Sequence, residues 1–194
     1  MYLSEWHIRK SEMLSHKILN EYSLHQRVFD LFPNCNARSF LYYPRYLSGS
    51  SVSLLVQSDM PPTYPGYGCL ETKEVPSSFF HHAKYLFSVR FCPVVQSLEN
   101  GVIPLKQDKD VIDWLLKRES TYGVSFCPNT LVKTGCGFMS MSQKGNLGRI
   151  RIDYVEMMGI LTVNDFDAFF TTVRKGIGRS KGFGLGMFQL RPIR

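Results

Sequence analysis

Two side chains near the start of the sequence are spaced for proton transfer. Tyr22 and His25 lie three residues apart in YSLHQRVF, and residues at that spacing are neighbours on the surface of a helix. Histidine titrates near neutral pH, and a phenol beside it adds a second donor or acceptor. At an RNA phosphate, one group would deprotonate the ribose 2′-hydroxyl while the other protonates the leaving 5′-oxygen. The alternative is that both side chains only pack at the edge of an amphipathic helix.

A glycine-rich segment near the end of the sequence is the second candidate feature. Residues 176–186 read GIGRSKGFGLG, with Arg179 and Lys181 between the glycines. If Gly182, Gly184 and Gly186 enter a strand they share one face, and a face without side chains admits another backbone. The two cations suggest that this backbone is a phosphodiester. A glycine-rich turn packed closely under a helix is the alternative.

The distribution of charge favours a polyanionic partner. The formal net charge of the 194 residues is +7. Residues 144–194 contain nine Lys or Arg against four Asp or Glu, so most of the excess lies beside the glycine-rich segment. A clustered basic surface is typical of proteins that bind nucleic acids. A generally basic protein without such a partner is the alternative.

Composition argues against several other classes of protein. The five cysteines are far apart and form no CxxC pair, which predicts a reduced, cytoplasmic protein without a structural zinc site. No carboxylate cluster suggests a metal site, so we expect neither a metal nor another cofactor. No apolar run approaches the roughly 20 residues of a membrane span, and the N-terminus does not resemble a signal peptide.

Periodicity predicts that each half of the chain repeats one topology. The first half shows a strand at 2–9, a helix at 20–32 capped by Asn20, a hairpin, a loop at 61–82 and the strand KYLFSVRFCPVV. The second half shows a helix at 108–119, a hairpin around Lys144–Gly148, the helix DFDAFFTTVRKG and the closing strand GFGLGMFQL. Each half approximates a βαββαβ unit. We therefore predict an α+β protein of two tandem ferredoxin-like domains, which are RRM-like, at 1–95 and 96–194.

These motifs together resemble a known family. The start MYLS, the helix YSLHQRVFDLFP, the following FLYY and the ending GIGRSKGFGLGMFQLRP resemble the CasE-type CRISPR-associated endoribonucleases, the guide-RNA-processing subunits of type I-E Cascade. The resemblance implies tandem ferredoxin-like domains and metal-independent cleavage of a CRISPR repeat hairpin. It also implies a 2′,3′-cyclic phosphate end, or an end derived from it, and retention of the mature guide RNA beside other Cascade subunits.

The resemblance places functional residues as well. The family's catalytic histidine falls on His25, its active-site tyrosine on Tyr22, and its glycine-rich loop on Gly176 to Gly186. Lys181 is the cation predicted to stabilise the charge on the phosphate. The residues predicted to bind RNA are Arg27, Lys144, Arg149, Arg151, Arg174, Lys175, Gly178, Arg179, Gly182 and Gly184. Which of His25 and Tyr22 is the acid and which the base stays open.

Two other functions remain open from the sequence. The first is a non-catalytic RNA-binding subunit of the same superfamily, in which the helix carrying Tyr22 and His25 is only a scaffold. The second is a basic ferredoxin-like assembly protein that has no role with nucleic acids.

Overall fold

Sixteen helices and strands make up the part of the chain that the structure describes. The structure is a computed structural model and describes residues 1–33, 38–46, 51–97, 99, 101–142 and 149–193. In the first part the elements are β1 (Tyr2–Ile8), α1 (Lys10–Ser15), α2 (Glu21–Asp30), β2 (Phe40–Tyr46), β3 (Val52–Ser58) and β4 (Cys69–Glu74). In the second they are β5 (Lys84–Phe91), β6 (Val94–Ser97), β7 (Gly101–Pro104), α3 (Asp108–Leu116), α4 (Glu119–Tyr122), β8 (Val124–Phe126), β9 (Val132–Ser142), β10 (Arg149–Val163), α5 (Phe166–Lys175) and β11 (Phe188–Pro192).

The first sheet has the strand order β2-β3-β1-β4, with every neighbouring pair antiparallel. Helix α2 connects β1 to β2 and begins where the sequence predicts, because the Asn20 side chain accepts a hydrogen bond of 2.9 Å from the Ser23 backbone N–H. Leu24 and Val28 point into a core formed with Trp6 and Ile8 of β1. Because the apolar stripe of α2 is buried in this core, it determines which face of the helix remains exposed to solvent.

The fourth strand of this sheet lies in the segment that was predicted to be a loop. Strand β4 pairs with β1, although five of its six residues are exposed or carry charge and give little apolar signal. The strand within KYLFSVRFCPVV, predicted to close the first domain, is instead β5 of the second sheet. The strands of the first sheet therefore end before Lys84, where the second sheet begins. The domain boundary at residue 95 stays a prediction. The segment between the predicted first strand and first helix contains the short helix α1 (Lys10–Ser15).

The second sheet has the order β11-β5-β10-β8, and β9 pairs with the outer part of β10. Helices α3 and α5 cover one face through Val111, Leu115, Phe169 and Val173. Asp165 caps α5 by accepting a hydrogen bond from the Ala168 N–H at 3.0 Å. The predicted hairpin is confirmed as β9 and β10, while Lys144 and the rest of its turn lie outside the described residues.

Both sheets share one topology. When β9 is left aside and the strands are numbered within their own sheet, each sheet shows the order fourth, first, third, second, with antiparallel neighbours throughout. This is the ferredoxin-like arrangement, and the predicted α+β class with two tandem units is confirmed. The first unit has no second helix among residues 59–68, where β3 runs through a connection into β4. In the described residues, no helix is both long and apolar enough to cross a membrane.

Arg90 of β5 joins the two sheets. Its guanidinium lies over the Tyr43 ring of β2 at 4.6 Å and the Tyr154 ring of β10 at 5.1 Å. It also pairs with Glu156 at 2.6 Å, with both side chains largely shielded from solvent. A second link is the buried hydrogen bond of 2.8 Å from Gln57 Nε2 to the Val173 carbonyl. These contacts fix how the first sheet sits against the second.

The cap of α2 gives a stability prediction. We expect Asn20→Ala to lower the free energy of unfolding by about 1 kcal/mol, because the Ser23 N–H loses its acceptor. Asn20→Asp is the matched control, since its carboxylate keeps the acceptor and suits a helix N-terminus. Urea unfolding of both variants and the parent measures the difference. Equal losses in the two variants would show that the side chain does not act as a cap.

Candidate active site

Helix α2 presents Tyr22 and His25 at the edge of its buried face. Leu24 and Val28 are fully packed in the first core, whereas Tyr22 and His25 are half-buried. This placement is the one that the helical periodicity predicts. The ring centroids of Tyr22 and His25 are 6.2 Å apart with a tilt of 35°, so the two rings are neighbours on the helix surface.

The glycine-rich segment forms a looped chain rather than the predicted strand. Gly176, Gly178, Gly184 and Gly186 have positive φ angles between 70° and 83°, which residues with a Cβ rarely adopt. Residues 181–183 form a single 3-10 turn, and β11 begins only at Phe188. The expected shared face of Gly182, Gly184 and Gly186 therefore does not form.

Backbone hydrogen bonds attach this loop to the end of β5. The Arg179 N–H donates to the Cys92 carbonyl at 3.1 Å, and the Gly186 N–H donates to the Arg90 carbonyl at 2.7 Å. The Ile177 N–H donates to the Gly186 carbonyl at 3.0 Å and closes the base of the loop. Three bonds from separate points hold the loop in one position beside α2.

Four glycines of the loop, Gly176, Gly178, Gly184 and Gly186, serve close packing inside the protein. A Cβ on Gly184 would lie 2.7 Å from Pro44 Cδ and 3.0 Å from Tyr42 Cε2, and one on Gly178 would lie 2.8 Å from the Cys92 carbonyl oxygen. A Cβ on Gly186 would meet the Ile177 carbonyl. Gly184 is buried in the protein without RNA, and its contact with RNA stays a prediction. For these positions the alternative of a closely packed turn holds.

Gly182 differs from the other glycines because it faces His25. His25 Nδ1 lies 2.5 Å from the Gly182 carbonyl oxygen. A carbonyl only accepts, so Nδ1 carries the proton, and in the neutral ring Nε2 is left as a proton acceptor. The rings of Phe29 and Phe183 flank the imidazole at centroid distances of 4.5 and 4.6 Å. The imidazole is thus fixed in both orientation and tautomer.

Burial is the main electrostatic influence on His25. It lowers the pKa of His25 below the ordinary value of 6.5, since the charged ring loses solvation. The hydrogen bond to the Gly182 carbonyl acts in the opposite direction, and the charge of Arg38 lowers the pKa further. His25 is therefore neutral at pH 7 and suited to accept a proton.

Tyr22 packs beside an apolar cluster at the contact between the sheets. The buried members of this cluster are Cys92, Met139, Ile152 and Leu185, with Phe183 partly buried against it. The phenol thereby has a fixed apolar support on the side opposite solvent.

Lys181 lines a basic cavity of about 500 Å³ on the other side of the loop. Its ammonium donates to the Gly176 carbonyl at 3.2 Å. The other cations at the cavity are Arg38, Arg174 and Lys175, and its one carboxylate is Asp59. The structure thus brings the predicted residues Arg174, Lys175 and Lys181 together, one residue away from the contact between Gly182 and His25.

Other predicted residues lie apart from this group. Arg27 pairs with Asp30 at 2.7 Å and, two residues after His25, faces another side of α2. Arg151 of β10 binds Asp153 at 3.1 Å and lies over the Phe138 ring at 3.9 Å. Arg149 begins β10, and the structure describes only its backbone. The Arg179 side chain is exposed on the loop.

Sequence reasoning missed Arg38 and Phe183. Arg38 lies between two apolar segments, and only the folded chain brings it beside Lys181 and within electrostatic reach of His25. Phe183 looked like a side chain alternating with glycines, yet it forms one wall of the imidazole site. Among the described residues, no three His, Cys, Asp or Glu side chains converge as metal ligands would.

The chain is similar to known proteins in sequence and in fold. A family model described as "CRISPR associated protein" matches residues 1–192. The CRISPR system Cascade subunit CasE of Escherichia coli (strain K12) is 27% identical over 195 residues, covering 89% of this chain and 92% of that protein.

Solved structures show the same fold. Thermus thermophilus Cse3 bound to an RNA representing a pre-cleavage complex superposes with a TM-score of 0.82, 19% identity and 98% coverage of each chain. The CRISPR-associated protein Cas6e from Escherichia coli K-12 gives a TM-score of 0.70 and 23% identity, with full coverage of both chains. These matches support the tandem ferredoxin-like arrangement.

The glycine packing gives a matched pair of variants. Gly184 and Gly66 both have strongly positive φ, but a Cβ on Gly66 would meet nothing within 4 Å. We expect Gly66→Ala to cost about 1 kcal/mol from backbone strain alone. Gly184→Ala adds overpacking against Pro44 and Tyr42, about 1–3 kcal/mol more. Urea unfolding measures both, and equal losses would contradict the packing assigned to Gly184.

Proposed function

We propose a function from one premise: this chain belongs to the family of CRISPR-associated proteins, whose model matches residues 1–192. The resemblance to the CasE type that the sequence motifs indicate is confirmed. On this premise the protein is a metal-independent endoribonuclease. It binds the hairpin of a CRISPR repeat and cleaves the precursor RNA by attack of a ribose 2′-hydroxyl on the adjacent phosphate.

The observation that carries the proposal is the hydrogen bond between His25 Nδ1 and the Gly182 carbonyl. With Nδ1 protonated, Nε2 accepts the proton of the 2′-hydroxyl, and the lowered pKa of His25 keeps it ready to do so at neutral pH. The 2′-oxygen then attacks phosphorus, the bond to the 5′-oxygen breaks, and a 2′,3′-cyclic phosphate remains. This geometry favours His25 as the base.

The leaving 5′-oxygen needs a proton, and the growing charge on the phosphate needs a cation. Tyr22, 6.2 Å from His25 between ring centroids, is the phenol in reach for the first role. Lys181, the first residue of the 3-10 turn, and Arg179, two residues before it, are the predicted cations for the second. Each of these roles is a proposal that rests on position.

The relatives' names supply the proposed partners. The protein from Escherichia coli is a Cascade subunit, and the structure from Thermus thermophilus holds an RNA representing a pre-cleavage complex. By analogy we assign this chain a CRISPR repeat hairpin as substrate, the mature guide RNA as a retained product, other Cascade subunits as partners and the cytoplasm as its location.

One observation favours the alternative of a non-catalytic RNA-binding subunit. Tyr22 has an apolar support, and His25 is wedged between Phe29 and Phe183, so both side chains have packing partners without any substrate. A basic assembly protein without a role in RNA binding is the remaining alternative. Cleavage and binding measured together separate the three.

The first prediction concerns His25. In excess chelator, we expect the parent protein to cleave a labelled CRISPR repeat RNA, and His25→Ala to lose about 10²–10⁴ in single-turnover rate because the base is gone. RNA affinity should stay close to that of the parent. His82→Ala is the matched control, since His82 is exposed and lies outside the site.

The outcomes divide the alternatives clearly. Binding without cleavage by the parent supports the non-catalytic subunit. Absence of binding supports the assembly protein. Cleavage only after a divalent cation is restored would contradict metal independence, and equal loss in the two histidine variants would remove His25 from the mechanism.

The second prediction concerns pH. A base with a lowered pKa stays neutral until the pH falls through that pKa, so the cleavage rate at limiting RNA should be flat at neutral pH and fall only below 6.5. The stability of the free protein should decline in the same direction, because the unfolded chain takes up the proton first. Rates across about pH 5–8, with NMR titration of His25, test this. A midpoint above 6.5 would contradict it.

A further inference from the structure

The basic cavity beside the glycine-rich loop has more positive charge than the protein itself balances. Arg38, Arg174, Lys175 and Lys181 line it, against Asp59 as the only carboxylate among the described residues that do. Asp59 is already engaged, since Arg174 donates to its two oxygens at 2.8 and 2.7 Å. Three cations therefore face the cavity without an anionic partner there.

Arg38 is the least satisfied of these cations. Its Nη1 atom is buried and has no hydrogen-bond partner among the residues that the structure describes, and a buried polar group without a partner costs free energy. Burial lowers the pKa of Lys181. The charges of Arg38 and Lys175 lower it further, because the cations repel one another. An anion in the cavity would relieve both costs.

The cavity and the His25 site share one loop. Gly182 holds the imidazole, and Lys181, the residue before it, lines the cavity. Arg38 lines the cavity and still acts electrostatically on His25. When one phosphate of an RNA backbone lies at His25, a neighbouring phosphate of the same strand therefore lies beside these cations.

We propose that this cavity binds a backbone phosphate of the RNA next to the cleaved linkage, as a subsite separate from the reacting phosphate. The inference rests on the proposed function. The Arg38 guanidinium offers paired donors that match phosphate oxygens, and the volume of about 500 Å³ admits a nucleotide linkage rather than a small ion alone. Arg38 and Lys175 thereby act on the affinity and placement of the strand.

The test uses repeat RNA with a 2′-deoxynucleotide at the cleaved position, so that binding is measured without cleavage. A series of these RNAs has single methylphosphonate linkages, each of which removes one phosphate charge. They are bound to the parent, to Arg38→Gln and to Lys175→Gln. Lys175 is exposed, so its variant folds even if Arg38→Gln does not. Lys73→Gln, an exposed cation away from this cavity, is the matched control.

We expect each cavity variant to bind about 10-fold more weakly, as for the loss of a hydrogen bond to a charged group. The slope of log affinity against log salt should fall by about 0.7. Neutralising one linkage beside the cleaved bond should weaken RNA binding by the parent but should weaken binding by the variants little further. That linkage is then the phosphate that the cavity holds. Lys73→Gln should keep the parent's slope.

Other outcomes overturn the proposal. If Arg38→Gln and Lys175→Gln keep the parent's affinity and salt slope, the cavity holds no phosphate. The same conclusion follows if every methylphosphonate lowers the affinity of the variants as much as it lowers that of the parent. Cleavage of unmodified RNA by the parent is measured alongside. RNA that binds but stays intact contradicts the nuclease and leaves the subsite to be decided by the binding data, whereas a parent that binds no RNA overturns both.

Discussion

The hydrogen bond between the His25 imidazole and the Gly182 carbonyl is the contact on which the candidate site depends. It joins two residues 157 positions apart in the chain. Its donor is held by α2, whose Leu24 and Val28 are packed in the core of the first sheet. Its acceptor is held by a loop that is bonded to the backbone of Arg90 and Cys92 at the end of β5. Neither side can shift by an ångström without breaking the bond, so the two sheets must keep a fixed relation.

Arg90 accounts for much of that relation. Its side chain lies over rings from both sheets and pairs with Glu156, while its carbonyl accepts from Gly186 in the loop. One residue therefore aligns the sheets and also secures the glycine-rich segment. The loop in turn separates two environments: a sheltered, aromatic one around the neutral imidazole, and a basic one around Lys181. The proton transfer proposed for His25 is favoured by low solvation of the ring, whereas the proposed anion binding needs unbalanced positive charge, and the loop contributes to both surroundings.

The sequence was sufficient for the elements with clear local signals. Asn20 and Asp165 cap the predicted helices, and the apolar stripe of α2 places Tyr22 and His25 where expected. It failed where the signal is not local. Strand β4 has almost no apolar pattern and forms because β1 offers an edge. Alternating glycines indicated a strand, but their positive φ angles and close packing produce a loop. Arg38 became visible only through its neighbours in space.

The distance along the chain between the imidazole and its carbonyl partner determines when the contact between His25 and Gly182 can form during synthesis of the protein. The ribosome releases α2 early, and that helix can dock on β1 once the first sheet is complete. The acceptor at residue 182 follows only after the whole second sheet except its last strand has been translated. Until then the ring has neither a fixed tautomer nor its Phe183 wall. In a nascent chain the His25 ring therefore has no fixed orientation until the loop has been translated, and a truncated chain lacking the loop would lack this hydrogen bond.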